Sequence, residues 1–116
     1  MAVVGRASRS ETPFRGVARV WFDRKRGGLK NGKHIAQNWT TIETYAFPTL
    51  AERPIGQIER REVVEALRPI WHGKHETAKR TLGRIREIFE LAKLDYDISD
   101  NPADFNPGIA YGRSRR

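Results

Sequence analysis

Histidines and carboxylates are the first residues to test for chemistry, because they serve as metal ligands and as general acids and bases. His72 and His75 lie three residues apart, but a glycine separates them and no third ligand is near in sequence. His75-Glu76 opens like a zinc-protease motif, which needs a second histidine four residues after the first, and that position is Lys79. Three carboxylates repeat every third residue, a spacing typical of a solvated helix face: Glu59, Glu62 and Glu65. The sequence therefore predicts no metal site, no cofactor and no catalytic centre.

Basic and hydroxyl side chains recur along one flank of the last long predicted helix. Two guanidiniums one turn apart, bracketed by hydroxyls, suit contact with phosphates and donation to base edges in a major groove. With the apolar stripe of the helix turned toward the core, this flank is predicted to be exposed. The candidate DNA-binding residues of this region are Lys74, Thr77, Arg80, Thr81 and Arg84.

A second polar face is predicted on the second helix, turned away from Ile35, Trp39 and Ile42. The helix opens near Asn31-Gly32-Lys33, so its first backbone amides are also expected to receive a phosphate. Ordinary solvation is the alternative for either face alone, but two such faces in a domain of net charge +8 favour DNA. The candidate residues of this second face are Lys33, His34, Gln37 and Thr41.

Four amphipathic helices are predicted to position these faces, and they cover residues 12–26, 33–47, 60–71 and 76–94. Thr12 is the predicted cap of the first helix, and Pro48 stops the second. Residues 48–58 contain two prolines and a glycine and are predicted to form a loop. No alternation of apolar and polar residues is long enough for a strand. The sequence therefore predicts an all-α fold, a compact four-helix bundle.

The fourth helix carries the clearest periodicity, with apolar residues spaced by four, three, four and three positions: Ala78, Leu82, Ile85, Phe89 and Ala92. Outside the helices, residues 1–11 are small, polar and basic and are expected to be a flexible lead. Residues 106–116 are expected to be a tail or linker, of which residues 112–116 are mobile. The domain is thus predicted over residues 12–105.

Composition limits the class of protein. The chain has 116 residues, with 22 Lys and Arg against 14 Asp and Glu, and residues 1–33 hold nine of those bases and two acids. Uneven positive charge is typical of a polyanion partner. A hydrophobic fraction of 38% without a run of about 20 apolar residues excludes a membrane span, and no signal peptide is expected. The absence of cysteine excludes disulfides and thiolate chemistry.

Several short motifs follow one another along the chain: KHIAQNW, TYAFP, PIGQI, LRPIW, HETA and DNPA. In this order they resemble the core-binding domain of phage-type integrases, the tyrosine recombinases of prophages and genomic islands. KHIAQNW at 33–39 and TYAFP at 44–48 resemble the second helix of that domain. PIGQI at 54–58 is similar to the loop that follows, with Glu59 in place of the usual threonine cap. The remaining matches are LRPIW at 67–71, HETA at 75–78, Arg84-Ile85 and DNPA at 100–103.

The resemblance implies a SAM-like bundle that clamps one side of the core recombination site in double-stranded DNA, with the second and fourth helices facing the duplex. It also implies a separate catalytic domain of the same parent protein and other recombinase protomers as partners on DNA. No histidine here is followed by arginine at the third position, and the nucleophilic tyrosine of the family belongs to that later domain. The chain is therefore expected to be a fragment without strand-cleaving activity, monomeric in isolation, and located in the bacterial cytoplasm, on the nucleoid when bound.

Two other functions remain open at this point. A stand-alone DNA-binding regulator would use the same bundle and the same basic faces. A helical protein-interaction domain would instead present its basic surface to an acidic partner. Titration with duplex DNA separates the protein-interaction domain from the recombinase module and the stand-alone regulator, which both bind DNA.

Overall fold

The computed structural model describes residues 9–28 and 31–112. Within these residues the chain forms six α-helices, four of them long, and no strand. The helices are α1 (Phe14–Arg26), α2 (Gly32–Tyr45), α3 (Phe47–Leu50), α4 (Arg60–Trp71), α5 (His75–Asp95) and α6 (Pro107–Tyr111). Two 3-10 turns, Arg9–Glu11 and Ile55–Gln57, pack against each other. The all-α class and the four long helices predicted from the sequence are confirmed.

Helix α5 is the centre of the bundle, because α1, α2 and α4 all pack against it. The five residues of its predicted apolar stripe are buried, as expected. The buried surface is wider than the stripe and also includes Thr81, Ile88 and Leu91. A helix surrounded by three others buries more than one narrow stripe, and this difference determines which polar residues of α5 reach solvent.

Aromatic side chains connect α1 and α2 to this centre. Phe14 on α1 lies 5.7 Å from Phe89 on α5 and 6.2 Å from Phe47, measured between ring centroids. Trp39 on α2 packs edge-on against Phe47 at 5.4 Å and lies 5.1 Å from Phe22. The large rings therefore hold α2 against α1 and leave the polar side of α2 free to face outward.

The start of α1 differs from the prediction that Thr12 caps it. Pro13 occupies the position before the helix, and no side chain caps the first turn. Instead, the amides of Phe14 and Arg15 donate to the backbone oxygens of Arg53 and Ala51, each at 2.9 Å. Since a neighbouring segment already satisfies these amides, the helix begins without a side-chain cap.

Residues after α2 are also more helical than predicted. α2 ends at Tyr45, and the four-residue α3 follows with Pro48 in its first turn. Proline has no amide hydrogen and a fixed φ, so it interrupts a long helix yet fits the first turn of a new one. The part of the predicted loop before residue 51 is therefore a short helix, whereas α4 has the predicted bounds 60–71.

At the start of α4, a carboxylate of the first turn takes the role of the threonine cap. The backbone amide of Glu59 donates to the Glu62 carboxylate at 2.9 Å, so the side chain in the first turn reaches back over the helix end. Arg53 donates to the same carboxylate, through Nε at 2.9 Å. Burial raises the pKa of Glu62, but these hydrogen bonds and the charges of Arg53 and Arg61 outweigh it and lower the pKa. Glu62 therefore connects Arg53 to the start of α4, while its side chain remains 29% exposed.

Residues 9–11 of the predicted flexible lead form a regular turn. The Arg9 guanidinium donates to the backbone oxygen of Asp95 at the end of α5 and lies 5.0 Å from the Tyr96 ring centroid. Residues 1–8 of that lead lie outside the described residues.

The predicted tail folds back onto α4. The Tyr111 ring stacks on Trp71, with 4.7 Å between centroids and 22° between planes, and its hydroxyl donates to the Val64 backbone oxygen at 2.9 Å. The segment before it is held by Asn101, whose side-chain amide donates to Arg86 O at 3.1 Å. Residues 106–112 are thus an ordered part of the bundle, and residues 113–116 lie outside the described residues.

Candidate nucleic-acid interface

A polar cleft of about 280 Å³ lies between α2 and α5. Residues three or four positions apart share a helix face, so about one turn of each helix is enough to form it. Helix α2 supplies His34, Gln37 and Asn38, and α5 supplies Arg80 and Arg84. The structure therefore brings together four of the candidate residues that the sequence placed on two separate faces.

Arg84 is half-buried in the cleft instead of lying on an exposed flank. Its Nη1 donates to the Thr41 hydroxyl at 2.6 Å and to the backbone oxygen of Gln37 at 3.5 Å. Burial lowers the pKa of Arg84, and the charge of Arg80 lowers it further, although an arginine remains protonated at neutral pH. The cleft thus contains a partly desolvated positive charge whose hydrogen-bond partners are neutral.

Among the described residues, the cations around the cleft form no ion pair with a carboxylate, although the charge of Glu87 partly offsets the lowering of the Arg84 pKa. None of the ion pairs formed within residues 9–28 and 31–112 includes Lys33, Arg80 or Arg84. On α1, by contrast, the Arg24 guanidinium lies 3.1 Å from the Asp95 carboxylate. Three cations without an ion pair therefore lie around the cleft, and others, such as Arg26 and Arg86, lie elsewhere on the described surface.

The placement of Thr81 on the exposed flank is wrong. This residue is fully buried, and its hydroxyl donates to the Thr77 backbone oxygen at 2.7 Å. The prediction assumed that α5 buries one stripe, whereas α2 also covers the adjacent side. Thr77 is half-buried and Lys74 is exposed just before α5, and neither lines the cleft.

The first turn of α2 is not an open amide site. The Asn31 side chain accepts from the backbone amides of Lys33 and His34 at 2.9 and 3.3 Å. Asparagine is a preferred cap because its side-chain oxygen satisfies these amides. The expectation that those two amides receive a phosphate is therefore wrong, whereas the side chains of Lys33 and His34 are exposed.

Asn38 is a cleft residue that the sequence reasoning missed. It is 7% exposed, and its side-chain amide donates to the His34 backbone oxygen at 2.8 Å. The available signal was its position four residues after His34, which puts it on the same helix face. Its role is to close the floor of the cleft with a polar side chain whose hydrogen bond is already made.

The two histidines near the start of α5 have structural contacts. His75 packs edge-on against Trp71 at 5.2 Å between centroids, and its Nδ1 lies 3.1 Å from the Trp71 backbone oxygen. His72 Nε2 lies 3.0 Å from the backbone oxygen of Tyr111. Across residues 9–28 and 31–112, no group of three or more His, Asp or Glu side chains could hold a metal ion.

None of the helices in the described part of the chain combines the length and the apolar character that crossing a membrane requires.

Comparison with known proteins assigns this bundle to a family. Residues 14–106 match the family model described as the phage integrase central domain. Over 97 residues the chain is 30% identical to prophage integrase IntZ of Escherichia coli (strain K12), a match that covers 83% of this chain and 24% of IntZ. The solution NMR structure of protein Nmul_A0922 from Nitrosospira multiformis has a TM-score of 0.74 at 32% identity, covering 82% of this chain and 91% of that one.

The matched region contains α1 to α5 and the segment that precedes α6. The chain spans about a quarter of the length of IntZ. The motif resemblance noted in the sequence is confirmed: the chain belongs to the phage integrase central-domain family.

Proposed function

We propose that this domain binds double-stranded DNA through α2 and α5, as the core-binding module of a site-specific recombinase from a prophage or genomic island. The observation that carries the proposal is the cleft between these helices, lined by two arginines that form no ion pair with a carboxylate of the described residues. A duplex presents one negative charge per about 1.7 Å of axis, so it binds most strongly to a surface whose positive charges form no ion pairs of their own.

Helices α2 and α5 each contribute different side chains to the contact with DNA. Arg80 is exposed on α5 and is free to reach a phosphate or a base edge, whereas Arg84 is anchored to α2 through Thr41. Lys33 extends the positive surface along the first turn of α2, and His34 adds an exposed hydrogen-bonding side chain there. Lys74 adds a further exposed cation just before α5. The module clamps one side of the core recombination site in this arrangement.

The chemistry of recombination belongs to other parts of the parent protein in this proposal. The match to IntZ covers 24% of that integrase, so most of its length has no counterpart in this domain. A catalytic domain of the same parent cuts and rejoins the strands, and further protomers assemble on the DNA. The bound protein is associated with the bacterial nucleoid.

Titration of the domain with a short duplex, followed by fluorescence anisotropy at several salt concentrations, tests the proposal. If four or five phosphates are neutralised, log K falls against log[salt] with a slope of roughly −4. Lys33→Gln removes one unpaired cation, so it weakens binding and reduces the slope by about 1.

An acidic polypeptide of equal charge density provides the comparison for the protein-interaction alternative. We expect the duplex to bind much more tightly, because its phosphates are already held at regular spacing, whereas a flexible polypeptide loses conformational entropy when its carboxylates are ordered. Equal affinity for the polypeptide, or no binding to duplex at low salt, would contradict the proposal.

A further inference from the structure

The cleft between α2 and α5 differs from an ordinary basic surface in how one of its charges is held. Arg84 is half-buried, and the two groups that accept its hydrogen bonds, the Thr41 hydroxyl and the Gln37 backbone oxygen, are both neutral. A carboxylate would fix the guanidinium but also cancel its charge. Neutral acceptors fix its direction and leave the full charge for a ligand.

Thr41 determines the direction of Arg84. Its hydroxyl accepts the guanidinium hydrogen bond at 2.6 Å and donates its own hydrogen to the Gln37 backbone oxygen at 3.1 Å. A hydroxyl has one hydrogen to donate, so these two bonds define its rotation. Because the second bond lies within α2, Thr41 couples a side chain of α5 to the position of α2.

Apart from Arg84 itself and from Asn38, whose amide donates to the His34 backbone oxygen, the polar side chains that line the cleft have no partner among the described residues. The side chains of His34, Gln37 and Arg80 line the same space, and no hydrogen bond or ion pair engages them. Arg80 and Arg84 lie one helical turn apart, and their two positive charges repel each other. An anion between them would satisfy both guanidiniums and remove this repulsion.

We propose that the cleft binds a single phosphate group of the DNA backbone, with Arg80 and Arg84 as its cationic ligands and Thr41 as the residue that positions Arg84. This inference rests on the proposed DNA-binding function and deepens it. Every nucleotide carries the same phosphate, so the cleft sets the position of the duplex and does not read its sequence.

The first experiment uses inorganic phosphate at constant ionic strength, followed by the backbone amide NMR signals of α2 and α5. The expected result is a saturable shift of the signals around the cleft. Thr41→Val keeps the shape but removes the hydroxyl, and it should weaken phosphate binding about fivefold, the effect of losing one hydrogen bond. Thr41→Ser should restore binding, and the exposed neighbour Thr40→Val should leave it unchanged.

The second experiment measures the same variants on two duplexes of unrelated sequence. Thr41→Val should weaken both by a similar factor of about five, because the loss concerns a backbone contact. Arg80→Gln should reduce the salt slope by about 1 on both duplexes.

The outcomes distinguish a failure of the proposed phosphate site from a failure of the proposed DNA-binding function. Phosphate binding that depends on Thr41, combined with DNA affinity that does not, would assign the cleft to free phosphate and overturn the backbone assignment. Unequal losses on the two duplexes would show that the cleft reads sequence, and would also overturn it. Absence of saturable phosphate binding overturns the site while DNA binding itself stands. A domain that binds no duplex contradicts the proposed function as well.

Discussion

The contact between Tyr111 and α4 gives a prediction whose size follows from the structure. The phenol donates to the Val64 backbone oxygen at 2.9 Å, and burial raises the pKa of Tyr111 to about 12, against an opposing effect of the Arg68 charge. An unfolded tyrosine has a pKa of about 10. Tyr111→Phe removes the hydroxyl but keeps the ring on Trp71. At pH 8 we expect the variant to be less stable by about 1 kcal/mol, the net value of one hydrogen bond.

Raising the pH should remove the advantage of the wild-type protein. The folded pKa lies above the unfolded pKa, so the stabilisation is complete below pH 10 and is lost as the pH rises toward 12. By pH 11 a full shift of two units would remove about 1.4 kcal/mol, and partial exposure of the ring reduces this to about 1 kcal/mol. The difference between wild type and Tyr111→Phe should therefore be close to zero at pH 11.

Urea unfolding followed by tryptophan fluorescence measures this difference, because Trp71 lies under the Tyr111 ring. Tyr45→Phe is the matched control at pH 8, since that phenol bonds none of the described residues, and its stability should change by less than about 0.5 kcal/mol. A wild-type advantage that is equal at pH 8 and pH 11, or absent at pH 8, would refute the docked position of Tyr111.

Further predictions concern the core, the acid side of the pH range and the state of the domain. Leu82→Ala empties a core position that is 2% exposed and should cost about 2–5 kcal/mol in urea unfolding, whereas Leu94→Ala, 83% exposed on the same helix, should cost less than about 0.5. Glu62→Gln should make stability less sensitive to acid, because the lowered pKa of Glu62 gives stabilisation that is lost as pH falls through the folded value; an unchanged acid transition would contradict the Arg53 contact. Circular dichroism and sedimentation should show a helical monomer that a chelator does not unfold, and a strand signal would contradict the fold.

Periodicity was sufficient to predict the long helices. The third predicted helix has the observed bounds, 60–71, and the apolar stripe of the fourth is buried. Both results follow from local spacing, since apolar residues at intervals of three and four positions must face one side of a helix.

Periodicity does not predict how many other helices pack against a given helix. The prediction placed Thr81 and Arg84 on an exposed flank because it assigned one buried stripe to α5. Three helices pack against α5, so Thr81 is buried and Arg84 is half-buried beside Thr41. The same limit explains why the packing of Tyr111 on Trp71, residues 40 positions apart, was not predicted.

The candidate site was predicted in part. His34, Gln37, Arg80 and Arg84 do share one cleft, although the sequence assigned them to two separate faces. Asn38 and the bond between Arg84 and Thr41 depend on how closely α2 approaches α5, which a single sequence does not specify.

The most direct test of the central claim compares Arg80→Gln with Lys93→Gln in duplex titrations at one salt concentration. Each variant removes one positive charge from α5; Arg80 lines the cleft, and Lys93 lies near the other end of the helix, 3.6 Å from the Glu90 carboxylate. We predict that Arg80→Gln weakens binding about tenfold, within the range for a direct arginine contact, and that Lys93→Gln changes it less than twofold. Equal losses at the two positions would contradict the claim that α2 and α5 face the DNA.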